Sequence, residues 1–161
     1  MNNLSIVLST YNEEDNIRQT LTKLMNNSLI SEVIIIDDNS NDQTVKIINE
    51  IKNDKIRLFI RKNTRGFASA FIFGLTMANG KYIMRFDVDM HSEIDFFLNT
   101  FEKNTDKECL IFSRYVANGD DQRVLYRKLS SLIINKLCQY LLSNKIKDYT
   151  DQKLINDMHK V

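Results

Sequence analysis

The apolar residues of this chain fall into short continuous runs, separated by stretches with helical spacing. LSIVLST (4–10) is nearly unbroken, as in a strand covered on both faces. Between 14 and 27, Ile17, Leu21, Leu24 and Met25 share one helical face. VIIID (33–37) reads as a second buried strand. Ser40 and Gln43 match a capping box before a helical stripe at Val45, Ile48 and Ile51. IRLFI (56–60) predicts a third strand. The Ala- and Phe-rich segment 67–79 predicts a buried helix stopped by Gly80. KYIMRFD (81–87) is a fourth strand. Ile94, Phe97, Leu98 and Phe101 mark the next helix, with Ser92 as its cap. CLIFSR (109–114) is a fifth strand. A polar loop at 116–123 then leads to a long helix over about 125–144.

Strands alternating with helices predict an α/β fold, a mostly parallel sheet with helices on both faces. Ligands of such sheets bind beyond the carboxyl ends of the strands. The chemically interesting residues lie there. Tyr11, Asn12 and Glu13 follow strand one, and Asp37 and Asp38 end strand two. Asp87, Asp89 and His91 end strand four, and Arg114 ends strand five.

Composition narrows the picture. The 161 residues suit a single domain over 1–161. A formal net charge of +1 argues against a nucleic-acid partner, which calls for a basic excess. Cys109 and Cys138 stand far apart in apolar surroundings, which predicts packing thiols in a reducing compartment. The N-terminus lacks the basic region of a signal peptide, and no apolar stretch reaches the ~18 residues that cross a bilayer. The expected location is cytoplasmic, peripheral at the membrane face.

RFDVDMHSE (85–93) carries the sharpest chemistry. Asp87 and Asp89 are two apart, so on an extended chain they point to one side. Paired carboxylates repel unless neutralised, and Mg²⁺ or Mn²⁺ relieves this while leaving positions for substrate phosphates. His91 adds an imidazole, which suits Mn²⁺. The competing explanation is a helix N-terminus that attracts acids. The position after a buried strand, facing a second acid pair, favours the metal. In IIIDDNSND (34–42), Asp37 is assigned to the turn and Asp38 to a ligand. A phospho-acceptor receiver is excluded, because there the acid pair follows the first strand. In STYNEE (9–14), Tyr11 offers a ring to a nucleobase and Glu13 an acceptor, although Asn12 as a helix cap accounts for the stretch locally. Gly66, Ala70, Gly74 and Ala78 recur every four residues, which brings a helix close to the sheet. Arg114 suits a phosphate. The segment 123–147 combines an apolar face with basic residues and is a candidate membrane-interface helix.

In order, STYNEEDNI, IIIDDNSNDQT, NTRGFASAFIFGLTMANGKYI, FDVDMH and FSRY resemble the family-2 inverting glycosyltransferases of the GT-A fold, over about residues 4–131. The likeness points to the branch of dolichol-phosphate mannose synthase and polyprenyl-phosphate sugar transferases. It implies a UDP- or GDP-linked sugar donor held by Ser9, Tyr11, Glu13, Ile36 and Asp38. Asp87 and Asp89 would bind ribose, Mg²⁺ or Mn²⁺ and diphosphate, and Arg114 would steady the diphosphate. Arg127 and Ser131 would receive a lipid-phosphate acceptor. Three departures stand out. His91 occupies a position that is often Gln in that branch, and Ser9 replaces the usual Pro. DYTDQKLINDMHKV opens like D-x-T-S-G-F-R but loses its Gly and Arg.

The resemblance implies inverting transfer to a polyprenyl or dolichyl phosphate, whose anion needs no general base. One alternative is transfer to a saccharide hydroxyl in cell-surface polysaccharide synthesis. That needs a base, from among Asp120, Asp121, Asp148 and Asp151. The other is a shortened chain that binds a nucleotide sugar without catalysis.

Overall fold

The computed structural model describes residues 3–106, 109–111, 125–141 and 153–156. The chain divides into two compact units: Met1–Cys109 with Leu154–Val161, and Leu110–Lys153.

The first unit follows the predicted alternation: β1 (Leu4–Thr10), α1 (Ile17–Met25), β2 (Ile30–Asp37), α2 (Thr44–Glu50), β3 (Ile56–Ile60), α3 (Phe67–Met77), β4 (Tyr82–Phe86) and α4 (Ile94–Glu102). β1 pairs in parallel with β2 and β4, and β2 with β3, giving the order β3-β2-β1-β4. The central strands carry the longest apolar runs because both their faces are covered. Ile6, Val7, Leu8, Val33, Ile34, Ile35 and Ile36 are all fully buried. Val7, Ile34 and Ile36 form one cluster with Ala70 and Ala78 beneath α3, and side-chain alternation turns Ile6 and Leu8 to the opposite face.

β5 (Cys109–Ile111) is the described part of the predicted strand 109–114. β6 (Lys153–Asn156) was not expected. It pairs antiparallel with β4, with Ile83 opposite Ile155. In the second unit, α5 covers Leu125–Leu141 of the helix expected over 125–144.

Several local expectations are corrected. Ser40 and Gln43 form no capping box: Ser40 donates to Asp37, and Asp42 accepts the Thr44 N–H at 3.0 Å. Asn12 is not a helix cap. It takes a left-handed backbone (φ 57) and accepts the Asn41 N–H. Ser92 does not cap α4, because a 3₁₀ segment, Val88–Glu93, intervenes and Glu93 holds the cap position. α3 is not buried all round; Ala70 and Gly74 alone are its buried residues. Gly80 does not stop α3, which ends at Met77 with Ala78 extended. Gly80 is needed because the chain passes so close to β1 that a Cβ would lie 2.9 Å from Asn3 O and Ser5 N.

The amino ends of the strands are fastened by one buried acid. Glu32 accepts from Ser5 Oγ and Arg57 Nη1, each at 2.6 Å, and from the Asn79 backbone and side chain. Burial alone would raise its pKa, but the hydrogen bonds from Ser5, Asn79 and Arg57 outweigh it and hold the carboxyl below its ordinary 4.5. Its contribution to stability is therefore whole above pH 4.5 and is lost as pH falls through the lower folded value. Denaturant midpoints measured from pH 7 to pH 2 should fall more steeply below 4.5 for wild type than for Glu32→Gln. Parallel curves would deny Glu32 this role.

Candidate active site

Three parallel neighbours deliver their carboxyl ends to one edge of the sheet. Thr10 lies opposite Asp37 in the register, Ser9 opposite Ile36, and Leu8 opposite Phe86. The loops after β1, β2 and β4 therefore emerge side by side.

The first two loops are zipped together by side chains that satisfy exposed backbone donors. Ser40 Oγ accepts the Asn12 N–H, Thr44 Oγ1 accepts the Glu13 N–H, and Asp42 accepts the Glu14 N–H. Asp37 holds its turn, accepting from Thr10 Oγ1 at 2.8 Å and from both the N–H and hydroxyl of Ser40. Asp38, 7% exposed, ties its own loop to the one after β3: Arg61 Nε and Nη2 donate to Oδ1, and the Gly66 N–H donates to Oδ2 at 2.8 Å.

The β4 loop brings the other acids. Asp87 is extended (φ −94, ψ 137), but the chain coils into the 3₁₀ segment immediately after it. The expected strand alternation thus does not carry Asp87 and Asp89 to one side. Thr20 of α1 fixes the segment by donating to Val88 O at 2.6 Å. Arg85 Nη2 contacts Asp87 Oδ2 at 3.1 Å, and its guanidinium lies over the Phe67 ring. Glu13 registers the convergence. Burial raises its pKa most; an Asn16 hydrogen bond opposes this, and repulsion from Asp89, Asp42 and Asp87 adds to the rise. Carboxylates from all three loops therefore share one field.

Two buried side-chain atoms have no hydrogen-bond partner among the described residues, Ser9 Oγ and His91 Nδ1. Both belong to residues singled out from the sequence. Among the described residues no three of His, Cys, Asp and Glu are grouped to hold a metal ion, so Asp87, Asp89 and His91 do not form a ready three-ligand cage. A hard divalent cation that takes one or two carboxylates and completes its shell with phosphate oxygens and water still fits the acids present.

Tyr11 is 41% exposed, whereas Ile36 is fully buried, with Ser9 of β1 on one side and Phe59 of β3 on the other. Arg114 and the alternative bases Asp120, Asp121, Asp148 and Asp151 lie outside the described residues, as does the side chain of Arg127. Ser131 is buried on α5. Sequence reasoning missed Arg61, Arg65 and Asp42. The one available signal was a basic residue just past β3, level with the acid just past β2.

The sequence model of glycosyl transferase family 2 matches residues 5–158. The chain belongs to this family. This family-2 glycosyltransferase is 28% identical over 136 residues to dolichol-phosphate mannosyltransferase of Saccharomyces cerevisiae, covering 79% of this chain and 51% of the relative. Among solved structures it is similar to a mannosyltransferase from Pyrobaculum calidifontis in complex with GDP-Man and Mn²⁺. The TM-score is 0.50 at 26% identity, covering 54% of this chain and 27% of the other. It also shares its fold with glucosyl-3-phosphoglycerate synthase from Mycobacterium tuberculosis, with TM-score 0.67 at 16% identity, covering 95% of this chain and 56% of the other. The α/β GT-A architecture expected from the sequence is the one found. The chain spans about half or less of the length of the curated relatives it matches. No helix among the described residues is long and apolar enough to cross a membrane.

Proposed function

We propose that this chain binds a UDP- or GDP-linked sugar at the carboxyl edge of β1, β2 and β4 and transfers the sugar, with inversion, to a polyprenyl or dolichyl phosphate. The observation that carries the reading is the convergence of Glu13, Asp87 and Asp89 at the carboxyl ends of the adjacent parallel strands β1 and β4. In this reading Ser9, Tyr11, Glu13, Ile36 and Asp38 hold the nucleoside. Asp87 and Asp89 would hold Mg²⁺ or Mn²⁺, with phosphate oxygens and water completing its shell, and His91 would join as a third donor only if donor binding draws it in. A divalent cation bound there neutralises charge on the departing diphosphate. Arg114 steadies that diphosphate, and Arg127 and Ser131 receive the acceptor phosphate. The acceptor is already an anion, so no residue need take its proton.

The lipid acceptor is supported by the yeast relative and by α5. This helix exposes Leu129, Leu132, Ile133, Leu137, Tyr140 and Leu141 while burying Ser131 and Asn135, the reverse of a soluble helix. Such a face suits peripheral contact with a membrane.

The test is thermal stabilisation by UDP and GDP, each with and without Mn²⁺, followed by turnover with polyprenyl phosphate beside soluble oligosaccharides. Ligand at 100 times its dissociation constant adds about 2.7 kcal/mol, or roughly 5–10 °C for a domain of this size. A Mn²⁺-dependent shift with one nucleotide supports the donor site and names the base. Turnover with oligosaccharides alone overturns the lipid acceptor.

A further inference from the structure

Resting on the donor site proposed above, we infer that Arg65 is a nucleobase-binding residue: it holds the place of the base on Tyr11 in the free protein and caps the base once donor binds. Its guanidinium carbon lies 4.5 Å from the centroid of the Tyr11 ring. That ring is the exposed aromatic surface at the end of β1.

Arg65 reaches the ring from a fixed base. The next residue, Gly66, has φ 131, a conformation that glycine adopts readily. Gly66 is held at both ends: its N–H donates to Asp38 Oδ2 at 2.8 Å, and its carbonyl accepts from Ser69 Oγ at 2.8 Å and the Ala70 N–H at 2.9 Å. Arg61 ties the same turn to Asp38. The backbone carrying Arg65 is thus anchored to the acid assigned to the nucleoside, while its side chain stays exposed. An exposed cation–π contact is weak enough for an incoming base to displace.

A planar guanidinium stacks on a nucleobase as well as it does on tyrosine. A base entering onto Tyr11 moves Arg65 out by one stacking layer and is then covered on both faces. Arg65 then works on the base and not on the diphosphate. Its loss weakens every nucleotide that carries the base, and the bare nucleoside equally.

The experiment compares wild type, Arg65→Ala and Arg65→Lys by titration with UDP, GDP, uridine and guanosine. Calorimetry serves for the diphosphates and NMR for the nucleosides. Arg65→Ala should weaken the preferred diphosphate and its nucleoside alike, each by about tenfold. Arg65→Lys should fall between, since an ammonium keeps the charge but not the plane. The melting temperature of the free protein should not move. Unchanged or tightened binding in Arg65→Ala overturns the inference and leaves the donor site standing. A loss seen with the diphosphate but not with its nucleoside also overturns it, since Arg65 then reads phosphate. A wild-type chain that binds neither nucleotide removes the donor reading and this inference together.

Discussion

Asp89→Ala should remove Mn²⁺-dependent nucleotide binding and lower sugar transfer by at least about 100-fold, the scale of losing a preorganised electrostatic contact. The fold should survive. Asp89 is exposed, and the segment that carries it is held by the Thr20–Val88 hydrogen bond and by Met90 N–H to Asp87 O, neither of which uses its side chain. Without metal the variant should melt no lower than wild type, because removing one carboxylate relieves the repulsion on Glu13. Thermal shift with UDP and GDP, with and without Mn²⁺, reads all of this in one series. A wild-type response to Mn²⁺ in Asp89→Ala would place the cation elsewhere.

Asp38→Ala should be the costliest single change at the site for stability. The Asp38 and Arg61 side chains are each 10% exposed. Removing the carboxylate strands the guanidinium charge and the Gly66 N–H without their acceptor. Breaking a buried pair from one side costs about 3–5 kcal/mol, a drop on the order of 10 °C in melting temperature. Asp38→Ala combined with Arg61→Met should recover most of that loss, because no uncompensated charge remains. Nucleotide affinity should stay low in the double variant, since the proposed nucleoside contact is still missing. Equal stability of the single and double variants would show that the pair is not what holds the loop after β3.

Much of this was legible along the chain. β1 to β4 fall where apolar runs predicted them, because the central strands β1 and β2 are covered on both faces and their middle positions are all apolar. The four-residue spacing of Ala70, Gly74 and Ala78 foretold a close helix, and these three are the small buried residues beneath which β1 and β2 lie. Helix ends were less readable. Ser40 and Ser92 have cap chemistry, but a hydroxyl serves whichever acceptor or donor the fold brings near, and for Ser40 that is Asp37. β6 was invisible because KLIN becomes a strand only against β4, some seventy residues earlier in the chain.

The sequence by itself determined the order of strands and helices and the gathering of Glu13, Asp37, Asp38, Asp87 and Asp89 at strand ends. Both follow from local apolar patterning and from the rule that loops of a parallel sheet emerge along one edge. Only the tertiary structure decided how those acids divide. Asp37 holds a turn, Asp38 is neutralised by Arg61 from 23 residues away, and the charges of Asp89 and Asp87 add to the burial that already disfavours ionisation of Glu13. The physical reason is that a carboxylate's role is set by the charges and donors within a few ångströms of it, and folding brings those from distant parts of the chain.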